Sequence, residues 1–480
     1  MEPRPLNFVA TACSGELLRG SPATTVSRIC TDSRRVQPGD LFFALPGERF
    51  DGHDFVSEAV RQGVAAVVIE REPGRPAGSQ PGPEGWGQCA IIAVENTRKA
   101  LGRLAAKYRM DFILPIVAVG GSNGKTTTKE LVAGVLRQKL ATLWSEASYN
   151  NDIGVPLTLL GLEGRHQAAV VEAGTNHPGE LEPLLSMIRP QLGVITSIGR
   201  EHLEFFGDLA GVAQEEGTLA EALPVGGKLF LSGDSEWAGP IMRRTQAAVL
   251  RIGTGEANEW RAHHIRPDPA GVTFMAQGPH PGLSGEYRVG LLGRHQAVNA
   301  LFAVAVGAEL GLSRAELEHG LRQCQPAKMR LELWEQNGVR VLDDTYNANA
   351  DSMVVALQTL LDLPCPGRRV AVLGDMAELG AQSEAAHVEV GRRAAELGVS
   401  QLFAVGKMAA AMSRGARDAG LSRVLEFGEV EAAGPAVKQF IRSGDVVLLK
   451  ASRATRLERI GELLRAVNPA KKTGKIAVTK

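Results

Sequence analysis

The segment Gly121–Thr127, which reads Gly-Ser-Asn-Gly-Lys-Thr-Thr, constrains the fold of this chain more than any other stretch. It follows the apolar run Ile116–Val119, which predicts a buried strand. It precedes apolar residues from Leu131 to Leu140 that are spaced as one face of a helix. A strand, a glycine loop, a Lys-Thr pair and a helix, in that order, are typical of a phosphate-binding loop. The sequence therefore predicts a nucleotide site for ATP or GTP.

Each part of this loop has a chemical purpose. Glycines let backbone N–H groups approach phosphate oxygens, and the helix N-terminus adds partial positive charge. The full pattern has a glycine five residues before Gly124, where this chain has Val119, so an ordinary glycine turn is the alternative. The flanking strand and helix favour the phosphate loop, with Lys125 on the terminal phosphates and Thr126 on Mg²⁺. The predicted nucleotide-binding residues are Gly121, Ser122, Asn123, Gly124, Lys125, Thr126 and Thr127.

Composition limits the kinds of protein this chain can be. At 480 residues it is too long for a single core, and roughly three domains are expected. Lys+Arg and Asp+Glu each number 53, so no global basic field attracts nucleic acid or an anionic membrane. The five cysteines form no CxxC pair, which argues against a disulfide framework and a zinc site. We expect a cytoplasmic protein without a signal peptide or membrane insertion.

The order of apolar runs predicts an α/β fold with three domains in series. Residues 1–93 form a small N-terminal α/β domain, and 94–324 a central P-loop ATPase-type domain with a mostly parallel sheet. Residues 325–480 form a C-terminal Rossmann-like domain. The stretch Glu72–Gly87 is predicted to be a loop or linker, and Ala470–Lys480 a frayed tail.

Polar residues follow several predicted strands. Glu172 comes directly after the apolar run Ala168–Val171, at the end of a strand where open α/β sheets bind ligands. His202 is placed in the same way and is a candidate metal ligand. A solvated glutamate and a structural histidine are the alternatives. In the third domain, Asp343–Asn349 and Gly374–Gly380 follow strands, and an Asx-rich turn is the alternative for the first of these.

At these residues the chain resembles the Mur ligases, ATP-dependent amide-bond ligases of peptidoglycan synthesis. The resemblance covers nearly the whole length, and the third-domain motifs are its most specific part. Besides the phosphate loop, Glu172 and His202, the similar segments are Asp32–Arg34, Pro38–Phe42, Asp51–His53, Asn150–Pro156, Gly293–Ala300, Asp343–Asn349, Gly374–Gly380 with His387, and Gly444–Arg453.

The resemblance implies a concrete reaction. The terminal carboxylate of UDP-N-acetylmuramoyl-tripeptide takes the γ-phosphoryl group of ATP, with Mg²⁺, to give an acyl phosphate. The amine of D-alanyl-D-alanine then displaces phosphate, and UDP-N-acetylmuramoyl-pentapeptide forms for cell-wall growth. The uridine nucleotide is expected in the first domain and the dipeptide in the third. A monomer is expected, and the third residue of the tripeptide, lysine or diaminopimelate, is left open.

The resemblance also implies roles for individual residues. Lys125, Thr126 and Glu172 are expected at the phosphoryl group and its Mg²⁺, and His202 at a second Mg²⁺. Asn299 is expected at adenine, with Arg330 and Asp344 completing the nucleotide site. The residues expected to contact substrate are Ser33 and Arg34 at the uridine nucleotide, and Asn151, Asn347 and Asn349.

Position 216 departs from the family pattern. Mur ligases usually carry a lysine here that CO₂ carbamylates into a Mg²⁺ ligand, whereas this chain has Glu216. We expect Glu216 to supply the carboxylate directly, because hard oxygen ligands suit Mg²⁺. The alternative is a solvated helix residue. Milder departures are Gln296, where the family often has Asn, and Ala451, where it often has Gly.

Two other functions compete with this interpretation. One is a folylpolyglutamate synthase of the same superfamily, against which the uridine-type first domain and the Gly374–Gly380 motif argue. The other is a nucleotide-dependent switch that hydrolyses ATP without ligation.

Overall fold

The computed structural model describes residues 1–47, 50–71 and 86–466. The chain divides into two compact units, the first being Met1–Ser197, Gln214–Ile252 and Phe302–Gly320, and the second Ile198–Ala213, Gly253–Leu301 and Leu321–Lys480. Most of the predicted linker Glu72–Gly87 and the whole predicted tail Ala470–Lys480 lie outside the described residues. Among the helices described, none is long and apolar enough to cross a membrane.

The N-terminal part of the first unit is a small α/β sheet of order β2-β7-β6-β5-β4. Strands β4 to β7 run parallel, and β2 pairs antiparallel with β7. Apolar side chains such as Phe42 and Val67 are buried against its helices. The elements are β1 Arg4–Pro5, α1 Leu6–Ala12, β2 Glu16–Arg19, β3 Thr25–Val26, β4 Ile29–Cys30, β5 Leu41–Phe43, α2 Val56–Arg61, β6 Ala66–Glu70, β7 Ala90–Val94 and α3 Thr97–Arg109.

The central sheet contains six parallel strands in the order β9-β10-β8-β11-β12-β13. Its inner strands are buried along their whole length, which explains their unbroken apolar sequences. The elements are β8 Ile116–Gly120, α4 Lys125–Leu136, β9 Thr142–Trp144, α5 Gly154–Leu159, β10 Ala168–Glu172, α6 Leu181–Ile188, β11 Leu192–Ile195, α7 Leu203–Phe206, α8 Leu209–Glu216, α9 Thr218–Glu221, β12 Lys228–Ser232, α10 Ala238–Met242 and β13 Ala248–Gly253.

The connectivity of this sheet places its ligand-binding edge. Strand β8 lies between β10 and β11, so the chain leaves β8 toward one side of the sheet and later returns on the other. Such a switch point opens a crevice at the carboxyl ends of the strands. The ends of β8, β10 and β11 therefore meet where the glycine loop, Glu172 and Thr196 lie.

The chain then forms an antiparallel meander and two helices, β14 Trp260–Asp268, β15 Gly271–Gln277, β16 Gly285–Val289, α11 Gln296–Glu309 and α12 Arg314–Gln323.

The C-terminal sheet belongs to the second unit and has the order β17-β18-β22-β19-β20-β21. Only β17 among its described strands runs antiparallel to its neighbour. One face packs on α13 to α15, and residues Leu203, Phe206 and Val212 join that core. The elements are β17 Glu332–Gln336, β18 Val339–Asp344, α13 Ala350–Asp362, β19 Arg369–Gly374, α14 Ser383–Glu396, β20 Gln401–Val405, α15 Ala409–Asp418, β21 Val424–Phe427, α16 Val430–Phe440, β22 Val446–Lys450 and α17 Glu458–Arg465.

The α/β class predicted from the sequence is confirmed, with a parallel central sheet and a Rossmann-like C-terminal sheet. The domain boundaries at 93/94 and 324/325 stay a prediction. The helix predicted to reach Leu140 ends at Leu136, and turns follow it.

Candidate active site

The predicted phosphate loop connects β8 to α4 with two glycines in backbone conformations that other residues rarely adopt. Gly121 has φ +105° and Gly124 has φ +85°. A Cβ atom at Gly121 would lie 2.5 Å from Thr196 Oγ1 and 2.7 Å from Thr196 N. Both the backbone angle and the space therefore require glycine at position 121.

The end of β11 holds this loop in place. Ser122 N donates to Ser197 O at 2.8 Å, and Asn123 N donates to Ser197 Oγ at 2.9 Å. Thr196 Oγ1 donates to Asn123 O at 2.7 Å. Lys125, the first residue of α4, is half-buried and its Nζ lies 3.3 Å from Ser122 O. The lysine ammonium thus curls back over the loop, where a phosphate group would meet it.

The Thr126 hydroxyl and the Glu172 carboxylate lie together beside the phosphate loop. Thr126 Oγ1 donates to Glu172 Oε1 at 3.1 Å, and Asn150 Nδ2 donates to the same oxygen at 2.9 Å. Glu172 is 1% exposed, and its Oε2 has no hydrogen-bond partner among the described residues. An orphaned buried carboxylate oxygen next to a hydroxyl fits Mg²⁺, which takes one or two carboxylates and completes its shell with phosphate and water.

No group of three or more His, Cys, Asp or Glu side chains that could hold a metal ion occurs in the ranges that the structure describes. The Thr126–Glu172 pair has the chemistry for a cation that takes its other ligands from phosphate and water, and binding of such a cation here stays a prediction.

Glu216 lies under the phosphate loop. It is the last residue of α8, it is 1% exposed, and its Oε2 accepts the backbone N–H of Gly121 at 2.6 Å. A Cβ atom at Gly120 would lie 2.9 Å from the same oxygen, so a side chain there would displace the carboxylate from its present position. The alternative of a solvated helix residue is therefore wrong, while the metal role stays a prediction.

His202 belongs to the second unit. It precedes α7 with φ +49°, its side chain is 13% exposed, and its Nδ1 is hydrogen-bonded to the Glu378 carboxylate. Glu204 N donates to Glu378 O at 3.0 Å, so the backbone of the Gly374–Gly380 motif also holds this turn. With Nδ1 bonded to Glu378, Nε2 is the ring nitrogen available to a ligand, and it lies 4.0 Å from Glu201 Oε2. The metal role of His202 stays a prediction.

Asp344 and Lys450 form an ion pair at the ends of β18 and β22, in which Lys450 is buried and Asp344 partly buried. Lys450 Nζ donates to Asp344 Oδ2 at 2.5 Å and to Asn347 O at 2.9 Å. Leu331 N donates to Asp344 Oδ1 at 3.2 Å, and the Arg330 guanidinium lies 4.2 Å from the centre of the Tyr346 ring. Arg330, Leu331 and the ends of β18 and β22 therefore form one cluster.

Asn299 lies in the second unit near His295, a histidine with a lowered pKa. Its Nδ2 donates to Gln296 Oε1 at 2.9 Å, and the residue is 8% exposed. Loss of water around His295 lowers the pKa of that imidazole to about 4. A neutral His295 accepts a hydrogen bond from Gln296 Nε2 at 3.0 Å, which fixes the amide that holds Asn299.

The remaining predicted substrate residues have local contacts. The side chain of Arg34 is 85% exposed and pairs with Asp32 at 2.8 Å, next to the buried Ser33. Asn151 Oδ1 accepts Gly154 N at 2.9 Å, and Asn349 caps α13. Asn347 is exposed on the loop after β18. Their contacts with substrate stay predictions.

Family models match three consecutive parts of the chain. The Mur ligase family catalytic domain matches residues 25–109, the Mur ligase middle domain 119–307, and the Mur ligase glutamate ligase domain 329–453. The chain is also 36% identical over 446 residues to UDP-N-acetylmuramoyl-tripeptide–D-alanyl-D-alanine ligase of Escherichia coli, an alignment that covers 91% of this chain and 93% of that protein. The chain belongs to the Mur ligase family.

Solved structures of Mur ligases are similar over nearly the whole chain. The match to a crystal structure of MurF from Acinetobacter baumannii has a TM-score of 0.87 and 32% identity, and covers 97% of this chain and 100% of that one. The match to MurF from Thermotoga maritima in complex with ADP has a TM-score of 0.77 and 26% identity, and covers 92% and 97%.

Several contacts of the predicted residues, each within one unit, escaped sequence reasoning. Asn150 contacts Glu172, although only its neighbour Asn151 was singled out from the Asn150–Pro156 motif. Glu378 contacts His202 from within a motif that the sequence did identify. Lys129, one helical turn after Lys125, is fully buried, and no pattern in the sequence marks it.

His387 shapes the Gly374–Gly380 loop of the Mur ligase third domain. Its Nδ1 lies 2.7 Å from Ser383 O and donates to it, and its Nε2 accepts Met376 N at 2.9 Å. These two bonds require the neutral imidazole. Burial lowers the pKa of His387 below its usual value, in agreement with that tautomer.

Proposed function

We infer that this Mur ligase joins D-alanyl-D-alanine to UDP-N-acetylmuramoyl-tripeptide, with ATP converted to ADP and phosphate. The observation that carries the inference is the glycine loop with Lys125 above it and the Thr126–Glu172 pair beside it. The relative in Escherichia coli that bears this activity is 36% identical, and the relative from Thermotoga maritima binds ADP. Both support the same reaction.

The chemistry assigns the protein a task of positioning and charge neutralisation. A carboxylate is a poor electrophile, and phosphorylation gives it a good leaving group. Loop N–H groups and the Lys125 ammonium neutralise charge on the transferring phosphoryl group. When bound, Mg²⁺ held by Thr126 and Glu172 supplies further positive charge there. The amine of D-alanyl-D-alanine then attacks the acyl carbon, and phosphate leaves.

We assign the other site residues by their positions in the family motifs. His202 and Glu216 serve a second Mg²⁺, and Asn299 contacts adenine. Arg330 and Asp344 complete the nucleotide site. Substrate contacts come from Ser33 and Arg34 at the uridine nucleotide, and from Asn151, Asn347 and Asn349. The enzyme acts as a cytoplasmic monomer.

A coupled assay tests the function directly. Phosphate release is measured with ATP, UDP-N-acetylmuramoyl-tripeptide and D-alanyl-D-alanine, and with each substrate omitted in turn. We expect release only with all three present, together with a pentapeptide product. Release that does not respond to the tripeptide or the dipeptide would favour a nucleotide switch. Activity on a folylglutamate and glutamate instead would favour a folylpolyglutamate synthase.

A further inference from the structure

Lys129 is a fully buried lysine in α4, one helical turn after the phosphate-loop lysine. Its Nζ donates to Glu130 Oε1 at 2.5 Å, to Ser145 O at 2.8 Å and to Ala147 O at 2.7 Å. An ammonium group has three N–H donors, and each has an acceptor here. Burial of a charge is costly unless it is paired in this way, so the contacts specify a single arrangement of the group.

The two backbone acceptors belong to the loop Ser145–Asn150, which follows β9. Within it, Ala147 has φ +46°, a left-handed conformation that is uncommon for alanine and stores strain. The carbonyls of Ser145 and Ala147 both point at the Lys129 ammonium. The lysine therefore holds the loop in a conformation that its own sequence does not favour.

The same loop reaches the Thr126–Glu172 pair with three side chains. Ser145 Oγ accepts Glu172 N at 3.0 Å, Ser148 Oγ lies 3.2 Å from Thr126 Oγ1, and Asn150 Nδ2 donates to Glu172 Oε1 at 2.9 Å. The loop thus orients both side chains that we assign to Mg²⁺. Residues that orient metal ligands in this way strongly affect metal affinity.

We propose that Lys129 is a positioning residue for the metal-nucleotide site, acting through the Ser145–Asn150 loop. The proposal builds on the proposed function, since it concerns the cation assigned to Thr126 and Glu172. Removal of the ammonium leaves two loop carbonyls without their donor and releases the strained turn. Glu172 and Thr126 then lose their fixed orientation, while the phosphate loop, held by Thr196 and Ser197, keeps its own.

The test measures ADP binding to the full chain by calorimetry, with MgCl₂ and with EDTA. The Mg²⁺ effect is the ratio of the ADP affinity in MgCl₂ to that in EDTA. We expect this ratio to be about 10–100-fold smaller in Lys129→Met than in the wild type, the range found for residues that support metal ligands. Its ADP affinity in EDTA should stay close to that of the wild type. Val135→Ala, in the same helix and fully buried but remote from the loop contacts named here, is the control for a loss of core packing. It should keep the whole Mg²⁺ effect.

Four outcomes overturn the proposal. A full Mg²⁺ effect in Lys129→Met overturns the role proposed for Lys129 but not the metal assignment. An equal loss in Val135→Ala has the same consequence. A wild type without any Mg²⁺ effect overturns the metal assignment to Thr126 and Glu172 as well. If Lys129→Met fails to fold, Asn150→Ala interrupts the same route without disturbing the buried charge. It should lose part of the Mg²⁺ effect, and an unchanged effect would overturn the proposal.

Discussion

Arg200 fastens residues 198–213 to two helices of the C-terminal sheet. Its Nε donates to Asp351 Oδ1 at 2.8 Å on α13, and its Nη1 donates to Glu389 Oε2 at 2.6 Å on α14. The Arg200 backbone N donates to Asp351 Oδ2 at 2.8 Å. The hydrogen bond to Glu389, with that to Asp351, raises the pKa of Arg200 above its usual value. We predict that Arg200→Met loosens this segment, which carries His202, without unfolding the sheet.

The magnitude follows from the exposure of the pairs. The side chains of Arg200, Asp351 and Glu389 are 28%, 36% and 34% exposed, so solvent screens their attraction in part. Exposed pairs contribute up to about 1 kcal/mol and desolvated charged hydrogen bonds about 1.5–3 kcal/mol. The two ion pairs of Arg200 are intermediate in exposure, so their loss should lower the free energy of local opening by about 1–3 kcal/mol. This corresponds to a rise of roughly 5- to 150-fold in the equilibrium constant for local opening.

Amide hydrogen exchange measures this opening directly. The amide of Glu204 donates to Glu378 O and that of Phe206 to His202 O, both at 3.0 Å, so both report on the segment. Their exchange should accelerate by the calculated factor in Arg200→Met, while the amide of Leu448 in β22 exchanges as before. Arg392→Met, which removes an exposed pair with Glu396 on the helix of Glu389, is the control. Unchanged exchange at Glu204 and Phe206 would refute the reasoning.

Three further predictions concern chemistry and pH. Lys125→Ala should abolish ligation with an unchanged circular dichroism spectrum, and Lys125→Arg should also fail because a planar guanidinium does not replace an ammonium; near-normal turnover in Lys125→Ala would contradict the assignment. Glu216→Gln should be crippled, and bicarbonate should raise the activity of Glu216→Lys; Glu216→Gln with normal turnover and Mg²⁺ dependence would show that the carboxylate is not needed. His387 has a folded-state pKa below its unfolded value, so the unfolded chain binds more protons between the two values. The melting temperature should therefore fall as the pH drops below about 6.5, less so in His387→Gln, and equal pH profiles of the two proteins would count against this role.

The phosphate loop could be predicted from short runs of apolar residues and glycines in the sequence. The run Ile116–Val119 is apolar because β8 is buried on both faces, and the glycines after it are required by backbone angle and space. Glu172 was recognised because a charge directly follows four apolar residues. By contrast, strand β21 has two exposed residues among its four, so no apolar run revealed it.

Contacts between distant residues explain what the sequence could not reveal. Arg200 meets Asp351 and Glu389 from 151 and 189 positions away, and no spacing rule links such residues. His202 was placed by its position after a strand, but its partner Glu378 comes from the loop after β19, 176 positions away. Lys129 looks like an ordinary surface lysine of a helix until the loop that covers it is known. Pairing across long separations is decided by topology, which a single sequence reveals only through a family resemblance.

The contact between Glu216 and Gly121 gives the glutamate at position 216 a structural role in addition to the predicted metal role. The sequence suggested a metal ligand or a solvated residue, and the structure adds a carboxylate that accepts a phosphate-loop N–H at 2.6 Å. An unmodified lysine at this position offers only donors, so it cannot accept that N–H, whereas a carbamylated lysine can. Glutamate supplies the acceptor without any reaction with CO₂. A carboxylate has about four lone-pair sites, so accepting one N–H is compatible with binding a cation as well. The same negative charge can thus fix the loop and serve the metal.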